Sequence, residues 1–311
     1  MLVTLFAALA MVGGGLLAWT DHSARKAVEQ YPPLGRFVEA GGVRLHYLDR
    51  GEGRPVVLLH GASGNLRDWT QSIFDAVAAS HRAIAFDRPG HGHSARPDEA
   101  GWDPRVQARL VRAALASIGV EKPILVGHSW AGTVALAYAL DYPDEVGGVL
   151  FLAGVSHPWP GGVGADRAIA TTPVLGALFT NTLVMPVGRA VAGRAIEGVF
   201  APNPVPPGYA EGLGLPLVLR PESYRANAED LTNLKPIVAE MSERYGEIRV
   251  PVTLLAGAED KVIWNSLHAD ALAREIEGAR HVVLDGIGHM PHHAAPAAVL
   301  AEIDALAARV R

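Results

Sequence analysis

Short, nearly continuous apolar runs recur along most of the chain, and patterns typical of helices separate them. Runs of this kind indicate strands buried on both faces of a parallel sheet. The predicted strands are Val56–Leu59, Ala83–Phe86, Ile124–Val126, Val149–Leu152, Val252–Leu255 and His281–Leu284. The predicted helices are Trp69–Ser80, Pro104–Ile118, Ala131–Asp141, Ser266–Ile276 and Ala295–Val310. Strands alternating with helices predict an α/β fold with a mostly parallel, doubly wound sheet.

Two intervals depart from this rhythm. Residues 36–51 alternate apolar and polar positions around a Gly-Gly pair, which predicts an antiparallel hairpin. About a hundred residues separate Leu152 from Val252, and a structureless loop of that length is implausible in a compact domain. We therefore predict a mostly helical lid inserted at residues 156–235, with the core formed by residues 34–155 and 236–311.

The first twenty residues form a separate segment. Leu2 to Trp19 is apolar apart from Thr4, and its length is near the lower limit for a helix that crosses a bilayer. A signal peptide normally has a basic start and a small-residue cleavage site, and this segment has neither. The pattern favours a single-pass membrane anchor in residues 1–20, which makes the membrane a partner. The alternative is a cleaved signal and a secreted or periplasmic protein.

Composition and charge narrow the function. The 311 residues suffice for one large α/β domain with an inserted subdomain. The formal net charge is −5 and no basic run occurs, so nucleic acid is not an expected partner. The sequence contains no cysteine, which excludes disulfides, thiolate catalysis and cysteine-ligated zinc.

Ser129 is the candidate nucleophile. It lies in the segment Pro123-Ile-Leu-Val-Gly-His-Ser-Trp-Ala-Gly132, between an apolar strand and an Ala-rich helix. A serine hydroxyl is a poor nucleophile unless it is exposed, oriented and given a base. A strand–turn–helix corner exposes the side chain above the sheet and supplies free N–H groups from the helix start.

A carboxylate and a histidine follow later strands, as a nucleophilic serine requires. Asp260 comes after the strand that starts at residue 252, with Glu259 as the alternative and a helix N-cap as the structural interpretation. His289 follows the last strand in a Gly-bracketed loop, and His292 and His293 compete with it. The three histidines together also resemble a metal site, but no carboxylate cluster accompanies them. We predict that no metal is bound.

The donors for a developing oxyanion are expected from the turn after the first parallel strand. The segment His60-Gly-Ala-Ser-Gly64 consists of small residues after the histidine, so its backbone can approach a ligand closely. The expected donors are the backbone N–H groups of Ala62 and Trp130, the residue that follows the nucleophile. His60 is expected to support the turn by hydrogen bonding.

In these motifs the chain resembles the α/β-hydrolase superfamily, in its lid-bearing serine hydrolase branch, over about residues 36–308. The resemblance implies this fold, the order serine, aspartate, histidine, and a structural role for the loop at residues 87–94. One departure is Ala131, where the family's pentad usually ends in glycine. The motifs that support the resemblance are His60-Gly61, Asp87-Arg-Pro-Gly-His-Gly-His-Ser94, Gly127-His-Ser-Trp-Ala131, Asp260 and Gly288-His289.

The resemblance also implies the chemistry. Family members that open epoxides or displace halide use an aspartate nucleophile, so Ser129 argues against both activities. The expected reaction is hydrolysis of a carboxylic ester of a small hydrophobic substrate through an acyl-enzyme, without a cofactor. Carbon–carbon bond hydrolysis, aminopeptidase activity and cofactor-free perhydrolysis by a haloperoxidase-like enzyme remain alternatives with the same three residues. Trp130, Trp159 and Phe179 are candidate substrate contacts, with plain packing as the competing interpretation.

Overall fold

A computed structural model of the protein describes residues 2–310 and, within residues 2–9, the side chain of Thr4 alone. In this part of the chain eight strands form one sheet in the order β1-β2-β4-β3-β5-β6-β7-β8. Their bounds are β1 Arg36–Ala40, β2 Val43–Arg50, β3 Pro55–Leu59, β4 Arg82–Phe86, β5 Ile124–His128, β6 Gly148–Leu152, β7 Val252–Gly257 and β8 Arg280–Leu284. The hairpin β1–β2 joins β4 antiparallel, and β4, β3, β5, β6, β7 and β8 pair in parallel. The predicted fold class is confirmed.

Helices cover both faces of the sheet. Their bounds are α1 Leu2–Gln30, α2 Arg67–Thr70, α3 Phe74–Ala78, α4 Pro104–Ser117, α5 Gly132–Asp141, α6 Ala165–Ala170, α7 Pro173–Thr182, α8 Val184–Phe200, α9 Tyr209–Gly212, α10 Leu215–Val218, α11 Pro221–Ser242, α12 Ala269–Glu275, α13 Pro291–Ala294 and α14 Pro296–Arg309. One predicted helix, at residues 69–80, is instead the short pair α2 and α3. The Ser72 hydroxyl between them donates to the Asp68 carbonyl, and such side-chain bonds compete with a continuous helix.

The central strands explain why the sequence pattern is readable. Val56 and Leu58 of β3 face one apolar cluster, and Val57 and Leu59 face another, with all four side chains fully buried. A strand buried on both faces needs apolar side chains at every position, which is why the runs are continuous. The carboxyl ends of the parallel strands lie at one edge of the sheet, where loops of distant sequence meet.

Between β6 and β7 the chain forms helices α6 to α11, which include the predicted lid at residues 156–235, called here the insertion. The predicted end of the insertion falls inside α11, which runs unbroken from Pro221 to Ser242. Phe200, Tyr209 and Leu213 of the insertion pack in one cluster with Met290, which follows β8. The insertion is therefore packed against the loop that contains His289.

The prediction of a membrane anchor is wrong for the part of the chain that the structure describes. Met1 and the side chains of residues 2, 3 and 5–9 lie outside that part. Within it, no single helix has both the length and the apolar character needed to cross a bilayer; α7 and α8 reach that threshold only jointly, across a bend of 68°. Helix α1 instead continues to Gln30 and buries Thr20, Ser23 and Ala27 along one face, with contacts to α7 and α10. The predicted localisation and membrane partner are corrected accordingly.

Candidate active site

Ser129 lies at a sharp corner between β5 and α5. Its backbone φ is 52°, in the left-handed region that a residue with a side chain rarely adopts. Such strain is common at functional positions and persists only where the surrounding structure enforces it. A Cβ at Gly132 would lie 2.7 Å from the Phe151 ring, so helix α5 passes closest to strand β6 at this glycine. Ala131 is buried one position earlier, and its methyl group is accommodated.

The structure brings three of the predicted site residues into one hydrogen-bonded chain. The Ser129 hydroxyl lies 3.0 Å from Nε2 of His289, and Nδ1 of His289 lies 2.8 Å from Oδ2 of Asp260. An ionised carboxylate only accepts, so Nδ1–H donates to Asp260 and the lone pair of Nε2 faces the serine. Ser129 is 8% exposed and His289 is 4% exposed. This arrangement suits transfer of the hydroxyl proton to the imidazole.

Asp260 also has the structural role considered for it. Its Oδ1 accepts the backbone amides of Val262 and Ile263 at 2.8 and 2.9 Å, which leaves Oδ2 for His289. The alternative carboxylate, Glu259, is exposed. The carboxylate is therefore oriented by the turn that it closes.

The turn after β3 approaches the serine corner closely. A Cβ at Gly61 would lie 3.0 Å from both the Ser129 Cβ and Nδ1 of His128, so a side chain at this position would press against the serine corner. Within residues 2–310, neither the Ala62 nor the Trp130 amide donates to another backbone or side-chain group. Both residues line the cavity above Ser129. The two amides are therefore available to a ligand.

His60 supports this turn, as predicted. Its ring lies 2.8 Å from the Gly61 carbonyl through Nδ1 and accepts the Arg88 amide at Nε2, 3.0 Å away. One nitrogen donates and the other accepts, so the ring is neutral. Burial, reinforced by the nearby Arg88 guanidinium, lowers the pKa of His60 to about 3.

An ion pair that the sequence did not reveal lies beneath the turn. Arg88 is 1% exposed, donates to Asp230 Oδ2 at 2.7 Å, and also donates to the carbonyls of His60 and Gly61. Its guanidinium lies 4.3 Å from the Trp130 ring centroid, and Trp130 Nε1–H donates to the Asp230 carbonyl at 3.0 Å. Asp230 belongs to α11. A helix of the insertion thus holds both backbone segments that bear the two free amides.

His292 and His293 bind a carboxylate rather than approach Ser129. Both donate through Nε2 to Asp68, each at 2.9 Å. Asp68, His128 and His292 each place one potential ligand atom within 4.8 Å of the others. Asp68 was not identified from the sequence, because it precedes a tryptophan in a short helix and lies more than 200 residues from His292 and His293. No local pattern links such positions.

A cavity of about 870 Å³ opens above Ser129 and His289. Trp130, Trp159 and Phe179, the candidate substrate contacts, all line it, and the Trp130 side chain is 1% exposed. Most of the wall is apolar and comes from the insertion. The charged residues in the lining are Asp68, Asp166, Arg167 and Lys261.

Comparison with known proteins agrees with this architecture. A family model described as "Alpha/beta hydrolase family" matches residues 56–303. A 2-hydroxymuconate semialdehyde hydrolase of Pseudomonas sp. (strain CF600) is 33% identical over 143 residues, 45% of this chain but only half of that protein. A 2-hydroxy-6-oxo-6-phenylhexa-2,4-dienoate hydrolase of Comamonas testosteroni is 29% identical over 79% of this chain and 84% of that protein. The solved structure of Est816, described as an N-acyl homoserine lactone degrading enzyme, is 26% identical and has a TM-score of 0.63, with 87% of this chain and 99% of that chain covered.

Proposed function

The chain belongs to the alpha/beta hydrolase family, and on that basis we propose that it hydrolyses a carboxylic ester of a small hydrophobic compound through an acyl-enzyme on Ser129. The observation that supports this proposal is the hydrogen-bonded chain of Ser129, His289 and Asp260 at the wall of an apolar cavity. Est816 adds support, because a lactone is a cyclic ester and the compound degraded by that protein carries an acyl group.

The proposed reaction has two half-reactions. Ser129 Oγ attacks the ester carbonyl as its proton passes to Nε2 of His289, and the amides of Ala62 and Trp130 stabilise the oxyanion. His289 then protonates the leaving alcohol, and the ester bond breaks to give the acyl-enzyme. Water repeats these steps and releases the carboxylic acid and free serine. Asp260 holds the imidazole in the required tautomer and stabilises its charged form. In this proposal residues 156–235 act as a lid that supplies most of the cavity wall.

Replacing Asp260 by asparagine is expected to lower kcat by about four orders of magnitude. The asparagine amide would donate to Nδ1 of His289, which moves the ring proton to Nε2 and removes the base that faces Ser129. Steady-state hydrolysis of a chromogenic ester measures the effect. Glu259→Gln is the matched control, because the exposed Glu259 is the neighbouring carboxylate, and its kcat is expected to stay within about twofold of the wild type. A larger loss in Glu259→Gln than in Asp260→Asn would reverse the assignment.

The acyl-chain preference tests the cavity directly. Each methylene buried in an apolar wall is worth about 0.8 kcal/mol, or up to about fourfold in kcat/KM. We expect kcat/KM for p-nitrophenyl esters to rise from acetate through butyrate to hexanoate or beyond before it levels off. Labelling of Ser129 by a fluorophosphonate, read by peptide mass spectrometry, tests the nucleophile in the same samples. Labelling without turnover of any ester would remove the ester from the proposal and retain the nucleophile.

Carbon–carbon bond hydrolysis is the second candidate, because two relatives are named for a dienoate and a semialdehyde. The named dienoate has no ester, so its hydrolysis must break a carbon–carbon bond beside the ketone. The carboxylate of the dienoate would require a cation in the cavity wall. The wall instead contains the anionic Asp68 beside the site; Arg167 is paired with Asp166 at 3.5 Å, and Lys261 is exposed. This charge distribution favours a neutral ester over an anionic dienoate as the substrate. Turnover of the dienoate together with inertness of all esters would favour the alternative.

A further inference from the structure

Asp68 accepts three hydrogen bonds from two separate parts of the fold. Its Oδ1 accepts the Tyr209 hydroxyl and Nε2–H of His293, and its Oδ2 accepts Nε2–H of His292, all at 2.9 Å. The Asp68 residue is 4% exposed. Burial alone would raise the pKa of the Asp68 carboxyl, but attraction to His292 and the hydrogen bonds lower the pKa well below its usual range. Within residues 2–310, no lysine or arginine forms an ion pair with it.

The two histidines connect Asp68 to the segment that contains His289. They lie in α13, which begins at Pro291, only two residues after His289. The His289 carbonyl accepts Nε2–H of His128, 3.0 Å away. The backbone of the candidate base is thus held at its own carbonyl by His128 and a few residues later by Asp68. The position of its imidazole relative to Ser129 depends on both attachments.

Tyr209 connects the same carboxylate to the insertion. It is the first residue of α9 and lines the cavity. Its ring lies 4.8 Å from the Phe200 ring and 5.2 Å from the His293 ring, centroid to centroid. Movement of this wall away from the core would break the Tyr209–Asp68 bond and leave a buried carboxylate short of one donor, which is costly. The wall and the His289 segment therefore share one anion.

We propose that Asp68 is a positioning residue that couples the insertion to His289, so that a closed cavity wall and a correctly placed base belong to the same state. The proposal rests on the proposed role of His289 as the base for Ser129. It predicts that changes at Tyr209, in the insertion, alter the His289 segment through Asp68. A residue with a merely local structural role would not produce that effect.

Kinetics of Asp68→Asn, Tyr209→Phe and the double variant test the coupling. Asp68→Asn keeps the size of the side chain and is expected to lower kcat about 10- to 100-fold, as misplacement of a catalytic group does. Tyr209→Phe removes a single hydrogen bond and is expected to raise KM for a hexanoate ester about fivefold, with a smaller loss in kcat. Losses in the double variant should be well below the product of the single losses. Asp304→Asn is the matched control, since Asp304 accepts a histidine Nε2–H from His81 at 2.8 Å on the surface.

Hydrogen exchange tests the same coupling without any substrate. Asp68→Asn is expected to raise amide exchange at least fivefold in peptides from both α9 and α13, and Tyr209→Phe in α13 as well as in its own helix. Tyr209→Phe decides the question if Asp68→Asn does not fold. The proposal would be overturned if amide exchange rose only in the helix that carries the substitution. It would also be overturned if the kinetic losses of the double variant equalled the product of the losses in the two single variants. Failure of the proposed function would give a different result. The wild-type protein would then not be labelled by fluorophosphonate, while the variants would still show the expected changes in amide exchange.

Discussion

Replacing Ser129 by alanine is expected to lower ester turnover by about six orders of magnitude. The substitution removes one oxygen atom, the one that lies 3.0 Å from Nε2 of His289 and would form the acyl bond. The Ala62 and Trp130 amides and the apolar cavity remain, so about a thousandfold advantage over water should survive. Because the cavity is intact, ester binding should change little. Stopped assays with high enzyme concentration, together with fluorophosphonate labelling, measure the loss.

The control for this variant is Ser117→Ala, at the exposed end of α4. It should match the wild type in turnover and labelling. Thermal unfolding of Ser129→Ala should also match the wild type, since alanine keeps the backbone and occupies the same space. A Ser129→Ala protein that folds normally and retains more than about one hundredth of the wild-type turnover would rule out the acyl-enzyme route.

The sheet and the residues at its edge are predictable from sequence for one physical reason. Strands buried on both faces must be apolar at every position, so the central strands stand out as runs. Side chains that follow such strands are brought to a common edge whatever their distance along the chain. The placement of Ser129, Asp260 and His289 in one hydrogen-bonded chain follows from that rule.

The supporting contacts around the site follow no such rule. Arg88 finds Asp230 from α11, and Asp68 finds Tyr209 from α9 and His292 from α13. Each of these pairs joins a residue of the core to an element more than a hundred residues later in the chain. The geometry of the pairs Arg88–Asp230 and Asp68–Tyr209 depends on how the insertion packs on the core, and no local pattern along the chain specifies that packing. The buried charges of Arg88 and Asp68 can therefore be recognised only when the structure shows their partners.

Helix α1 shows a different limit of the same reasoning. Hydropathy of its first half predicted an anchor, and Thr20, Ser23 and Ala27 in its second half are buried on the protein itself. Side chains spaced three and four apart lie on one helical face. The spacing of Thr20, Ser23 and Ala27 is therefore typical of a helix that packs on the protein, whereas the apolar run of residues 2–19 is typical of a membrane span. Contact with α7 and α10 could not be read from the run alone.

The protein is expected to lose most of its stability between pH 6.5 and pH 5. Burial lowers the pKa of His60 to about 3 and of His268 to about 4. Burial likewise lowers the pKa of His91 and His128 well below the usual value, and lowers that of His292. The rings of His60, His91, His128 and His268, whose pKa values are lowered most, are neutral in the folded protein at a pH where the unfolded chain binds protons. The stability they contribute is fully present above pH 6.5 and declines as the pH falls toward the folded-state values.

The expected size of this effect is large. Each ring with a strongly lowered pKa destabilises the fold by about 2 kcal/mol at pH 5, relative to pH 8. Four such rings sum to about 8 kcal/mol, which is comparable to the whole free energy of unfolding of a typical protein. The buried carboxylates Asp68 and Asp87 have lowered pKa values and remain charged at pH 5, so they do not offset this loss.

Chemical denaturation at successive pH values measures the proton uptake on unfolding as the slope of free energy against pH. We expect a slope of about 1.4 kcal/mol per pH unit for each titrating ring. His268→Gln keeps a side-chain acceptor for the Ser156 amide, which His268 Nδ1 accepts at 3.2 Å, and should reduce the slope by about one ring. His22→Gln, at an exposed position on α1, should leave the slope unchanged. A free energy of unfolding that stays constant between pH 6.5 and pH 5 would mean that these rings are protonated inside the folded protein. That result would contradict the role of His60 as a neutral ring that supports the turn at residues 60–64 by hydrogen bonding.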